Sequence, residues 1–70
     1  MQVHNPLQIG EAIRQARRKQ GLTQTQVADA LGLSQQWISA VESGKPNARI
    51  GAVLDLAHAM GLVISIGHRK

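Results

Sequence analysis

The apolar positions of the chain fall into four short helical patterns and one β-branched run. Leu7, Ile9, Ile13 and Ala16, with Ala12 at the edge, form one stripe at the spacing of a single helix face over about residues 6 to 20. Asn5-Pro6 opens that helix, because Asn caps it and Pro fits the first turn, where its missing N–H is no loss. Arg14, Arg17, Arg18 and Lys19 gather in the last turns, where cations complement the dipole, and Gly21 stops the helix.

A second helix is predicted over about 24 to 31. Thr23-Gln24-Thr25-Gln26 has the form of a capping box, and Val27, Ala28 and Leu31 face inward. Gly32 ends it and Leu33 plugs the turn. Ser34 caps a third helix over about 35 to 43, in which Ile38 and Val41 point to the core; Lys45-Pro46-Asn47 is a loop. The fourth helix, about 48 to 60, is apolar nearly all round, so it needs a second surface besides its own core. After Gly61, the β-branched run at 62 to 66 predicts a strand. Its one possible partner in the chain, Met1 to His4, is short, so pairing with a second copy is expected. Leu56, Met60, Leu62, Val63, Ile64, Ser65 and Ile66 are the expected dimerisation residues.

Seventy residues make one domain, and a chain of that size buries only about 60% of its unfolded surface, which favours help from a second subunit. With no Cys there are no disulfides, thiolate metal sites or cysteine nucleophiles, and a reducing compartment fits. His4, His58 and His68 have no ligand spacing, so no metal and no cofactor is expected; His58 reads as a helix-surface residue. Asp29, Asp55, Glu11 and Glu42 form no acid–base pair, and no Ser lies in a nucleophile or phosphate-loop motif, which argues against an enzyme. No apolar run approaches the ~18 residues of a membrane span and no signal peptide opens the chain, so a cytoplasmic protein is expected. A membrane-surface role for helix one is weak, since its cations cluster at one end without an aromatic anchor. Eight Lys and Arg against four Asp and Glu give a net charge of +4, pointing to an anionic partner.

Two short helices joined by Gly32-Leu33, the second opened by a Ser cap, make a helix-turn-helix. Gly21-Leu22-Thr23-Gln24, Val27-Ala28, Leu33-Ser34-Gln35, Ile38-Ser39 and Glu42-Ser43-Gly44 resemble the Xre-type helix-turn-helix family of phage repressors and antitoxins, over about residues 9 to 61. In length and architecture the chain is most similar to HipB-type antitoxins within it. The resemblance implies an all-α, lambda-repressor-like domain of four to five helices, closed by a short C-terminal β-strand that pairs across a dimer. It implies that helix three enters the major groove.

Gln is suited to that position because its amide can pair bidentately with adenine N6 and N7. Ser34, Gln35 and Gln36 are therefore base-reading candidates, a solvated polar helix start being the alternative, and Ser39, on the same outward face, joins them with a base or a phosphate as its partner. Ala40 departs from the long polar residue several phage repressors carry there. Gln24 opens helix two, where free N–H groups favour a phosphate, a role the family also implies. Ser43, Lys45, Asn47 and Arg49 are placed to grip the DNA backbone from the other side, with a plain solvated cation the alternative for Lys45 and Arg49. Trp37, the one aromatic residue, has two compatible roles: covering the edge of a small core, or packing along the DNA backbone. The family pattern pairs Arg17 with Glu42 to fix the recognition helix.

The resemblance implies a repressor that binds an inverted-repeat operator as a homodimer and also holds a HipA-like serine/threonine kinase toxin. The basic end at Arg69 and Lys70 is a candidate contact for an acidic partner, a frayed terminus being the alternative. A stand-alone repressor without a toxin is the alternative.

Overall fold

The computed structural model describes residues 3–65, which fold as four helices: α1 (Pro6–Lys19), α2 (Gln24–Leu31), α3 (Gln35–Glu42) and α4 (Ile50–Ala59). Each of the first three starts on a side-chain cap. The Asn5 side chain accepts from the Gln8 N–H, Ser34 accepts from Trp37, and the Thr23–Gln26 box is complete in both directions. Gly32 takes the left-handed conformation at φ 68°, and the Leu33 N–H returns to the Ala28 carbonyl at 2.9 Å. That turn sets α3 against α2 and leaves Leu33 packed on the core.

The core consists of Ile13, Val27, Ala28, Ile38, Val41, Val53, Leu56, Ala57 and Met60, with Ile9, Ala16, Leu22, Trp37, Leu62 and Ile64 among the residues packed around it. Two constraints hold α1 on α3. At Gly10 the helices approach so closely that an added Cβ would run into the backbone of Val41 and Glu42, lying only 2.8 Å from the Glu42 carbonyl carbon. One and two turns further along α1, Ile13 enters the core and Arg17 meets Glu42. The guanidinium grips the carboxylate side-on, Nε donating to Oε2 at 2.7 Å and Nη2 to Oε1 at 2.9 Å. Its Nη1 donates to the Leu22 carbonyl at 2.7 Å and so also fixes the α1–α2 turn. At the far end, Gln20 Nε2 donates to the Met60 carbonyl at 2.9 Å, tying the end of α1 to the end of α4.

Glu42 is only 2% exposed and Arg17 8%. Burial by itself pushes the Glu42 carboxyl up, but the hydrogen bonds from Arg17 and Gln24 and the charges of Arg17 and Arg14 outweigh it and hold the group below the ordinary carboxylate range. The hydrogen bond to Glu42 likewise holds the Arg17 guanidinium above its usual value, against desolvation.

Several sequence expectations change. The fourth helix starts at Ile50, later than residue 48, because Arg49 is extended and supplies no side-chain cap. Leu7 and Leu31, expected on inner faces, are 59% and 36% exposed, and Leu7 lies instead against Gly44 beyond the end of α3. Leu56 and Met60 are not available to a dimer surface, since both are buried in the core of their own chain. No strand forms among the described residues. Leu62 to Ser65 nonetheless alternates, with Leu62 and Ile64 half-buried and Val63 and Ser65 exposed, and Val3 lies over the same small apolar gap as Leu62 and Ile64. Ile66, His68, Arg69, Lys70 and Met1 lie outside the described residues.

Gly10→Ala is expected to destabilise the fold toward the top of the range of about 1–3 kcal/mol for overpacking, although Ala is the better helix former. Gly51→Ala, at a helical position with nothing within 4 Å of the new Cβ, should be neutral or stabilise by up to about 1 kcal/mol. Urea denaturation of the two variants checks the contrast; equal effects would contradict the close approach.

Arg17→Met leaves Glu42 buried without its cation and should cost about 3–5 kcal/mol at pH 7. A carboxyl lowered by folding contributes stability above its unfolded value, near pH 4, and loses it as pH falls through the lower folded value. The gap between wild type and variant should therefore narrow on acidification below about pH 4, and urea titrations that find a constant gap would contradict the pairing.

Candidate nucleic-acid interface

The first residues of α2 and α3 occupy equivalent places, each directly after a hydroxyl cap: Gln24 after Thr23 and Gln35 after Ser34. The helix-turn-helix brings these two glutamines together. Gln35 Nε2 donates to Gln24 Oε1 at 2.6 Å, and Gln24 Nε2 donates to Glu42 Oε1 at 3.1 Å. A continuous hydrogen-bonded line thus runs from Arg17 in α1, through Glu42 at the end of α3 and Gln24 at the start of α2, to Gln35 at the head of α3. Gln35 and Gln36 are both exposed, Gln24 is half-buried.

Gln24 thus has a structural part inside the protein besides the phosphate contact expected of it. Its amide is engaged at both ends by protein groups, so it supports Gln35 and keeps one N–H to donate to a phosphate. Thr25 lies exposed beside Gln24 in the first turn of α2. The capping box uses the Gln26 N–H and leaves the earlier amides of that turn for an anion.

Ser34 is exposed but its hydroxyl oxygen accepts from the Trp37 N–H at 3.0 Å, so toward a base it keeps chiefly its O–H donor. Ser39 is half-buried one turn on from Gln35. Trp37 is half-buried against the core, which establishes the packing side of its two roles.

Ser43, Lys45, Asn47 and Arg49 are all exposed and all lie in the connection from α3 to α4. An eight-residue helix is about 12 Å long. The glutamines at its head and the polar connection at its foot are thus separated by roughly the width of the major groove, also about 12 Å. The connection is held in place from within, the Lys45 N–H bonding to the Ala40 carbonyl at 3.0 Å and Leu7 lying against Gly44.

Among the described residues there is no cluster of three or more potential metal-ligating side chains, and no helix is long and apolar enough to cross a membrane.

The model of a helix-turn-helix domain matches residues 8–63 of the chain. The HTH-type transcriptional regulator y4mF of Sinorhizobium fredii (strain NBRC 101917 / NGR234) is 36% identical over 64 residues, spanning 91% of this chain and 84% of the relative. A second regulator of that strain, y4dJ, is 37% identical over 54 residues, 77% of this chain and 70% of the relative. In structure the chain is similar to HipB in the HipB–O4 20mer complex and to a chain of the HipA–HipB–O2–O3 complex. Both superpose at TM-score 0.87 and 23% identity over 100% of this chain and 99% of the other. The chain belongs to the helix-turn-helix family of DNA-binding transcriptional regulators.

Proposed function

We propose that the protein is a sequence-specific repressor that binds an inverted-repeat operator as a homodimer, reading bases with Gln35 and Gln36 and, at the edges of the contact, Ser34 and Ser39. The observation that carries this reading is the exposed glutamine pair at the head of α3, one of them braced by Gln24, with exposed Lys45 and Arg49 about one groove width away. Gln24 and Trp37 hold the backbone at the head of the helix; Ser43, Lys45, Asn47 and Arg49 hold it at the foot. The second copy pairs through the alternating segment that begins at Leu62, where Val63 is 73% exposed, and places two recognition helices about 34 Å apart on one face of the DNA.

A finer reading makes the protein a HipB-like type II antitoxin that also holds a HipA-like serine/threonine kinase toxin. Its support is the likeness over the whole chain to HipB, including a chain of the HipA–HipB–O2–O3 complex. The outer face of α1 suits such a partner. Gln8, Glu11, Gln15 and Lys19 line an open groove there, walled by Val3 and Leu62, on the side of the helix opposite Arg17. DNA and toxin then occupy separate surfaces. A stand-alone repressor is the second reading.

Fluorescence anisotropy titrations of a selected operator and of random duplex separate the two sets of contacts. Gln35→Ala and Gln36→Ala should each cost about 1–3 kcal/mol on operator and little on random DNA. Lys45→Ala and Arg49→Ala should weaken both, each lowering the salt slope by about 1. Sedimentation of the same mixtures should give two chains per operator. An unchanged operator-to-random ratio in both glutamine variants, or one chain per operator, would overturn the DNA reading.

The toxin partnership is tested by affinity capture from the native host, using wild-type protein and the Gln35→Ala/Gln36→Ala double variant. Recovery of a serine/threonine kinase by both supports the antitoxin. Operator binding without any kinase recovered leaves the stand-alone repressor.

A further inference from the structure

We infer that Glu42 is a specificity-determining positioning residue: acting through Gln24, it decides which edge of the Gln35 amide faces a base. The inference rests on the reading of Gln35 as a base contact.

The argument is one of hydrogen-bond polarity. An ionised carboxylate only accepts, whereas a primary amide has a donating end and an accepting end. Glu42 Oε2 receives Arg17 Nε, and Oε1 receives both Arg17 Nη2 and Gln24 Nε2. Facing a group that cannot donate, Gln24 turns its NH2 inward and its carbonyl oxygen outward. That oxygen in turn cannot donate, so Gln35 approaches it with an N–H, the 2.6 Å contact at the head of α3. Each amide is oriented by the one beneath it, and the order begins at a buried anion.

The direction has a consequence for readout. With one N–H given to Gln24, Gln35 keeps its carbonyl oxygen and its second N–H, an acceptor beside a donor. Adenine presents the complement in the major groove, the N6 donor and the N7 acceptor. Run in reverse, the line would engage the Gln35 oxygen and leave both N–H groups outward, the complement of guanine, whose O6 and N7 are both acceptors. Discrimination between adenine and guanine at this base pair is therefore set by Glu42, a residue 2% exposed that touches no base. Arg17 has the supporting part of keeping that carboxyl ionised and in place.

A purely structural Glu42 makes a different prediction. Loosening the seat of α3 would weaken every base preference together, whereas loss of amide order relaxes one position.

The experiment selects from a library of randomised DNA duplexes with full-length wild type, Gln35→Ala, Gln36→Ala, Gln24→Met and Glu42→Gln, with circular dichroism melting to verify folding. The two Ala variants identify the base pairs read by Gln35 and Gln36. Wild type should prefer adenine at the Gln35 position. Gln24→Met, which leaves the Arg17–Glu42 pair intact, and Glu42→Gln, whose amide no longer imposes a direction, should lower the adenine-to-guanine ratio there about tenfold and leave the Gln36 position unchanged. If Glu42→Gln does not fold, Glu42→Asp, which keeps the charge but draws it back from Gln24, takes its place, and an adenine-to-guanine ratio that survives in the folded position-42 variant overturns the inference. An adenine-to-guanine ratio that survives in Gln24→Met, or equal loss at all positions, overturns the inference. A wild type that selects no sequence overturns the DNA reading beneath it.

Discussion

The side-on pairing of Arg17 with Glu42 is the interaction on which the rest of the structure depends. It joins the last turn of α1 to the last residue of α3, fixes the α1–α2 turn through the Leu22 carbonyl, and anchors the amides that reach the head of α3. A buried charge pair adds little net stability compared with well-packed apolar residues, and its value lies in geometry: with one partner gone, the other is stranded. Gly10 makes the pairing possible by letting α1 approach the Val41–Glu42 backbone more closely than any side chain would allow. Backbone contact and ion pair thus lock the recognition helix at two points on the same neighbour.

A rigid seat matters more here than in a larger domain. The core is small, with one Trp and no other aromatic residue, and α3 has only eight residues, too few to be helical by itself. Its orientation comes from its neighbours. Three polar groups near its head are each placed by another: Ser34 by its cap to Trp37, Gln35 by Gln24, Gln24 by Glu42. Side chains held in this way lose less conformational freedom on contact with a partner, which is what preorganisation means in energetic terms.

Local features of the fold were legible in the sequence because they depend on neighbours within a few residues. Asn5-Pro6, the Thr23–Gln26 box, Ser34 and Gly32 mark helix ends through caps and a left-handed turn, and all stand where expected. Features that depend on distant residues were not. The apolar pattern of α4 does not distinguish a face turned to its own core from one turned to a second copy, and Leu56 and Met60, expected at a dimer surface, are buried in the monomer. Leu7 fits the α1 stripe but lies at its N-terminal end, past the core, against Gly44. The polar line from Glu42 to Gln35 is read only once the turn brings residues 24, 35 and 42 together; the family pattern supplied the Arg17–Glu42 pair and nothing in the spacing supplied the two glutamine links.

The central claim, that the head of α3 reads bases while its foot and the start of α2 hold the backbone, is tested most directly by nuclear magnetic resonance of uniformly 15N-labelled protein titrated with its selected duplex and with random duplex. The account predicts that the side-chain amide signals of Gln35 and Gln36 shift with the selected duplex alone, while the backbone signals of Lys45, Asn47, Arg49 and Thr25 shift with both. Glutamine signals that remain still, with the largest shifts instead along the outer face of α1 or on α4, would contradict it.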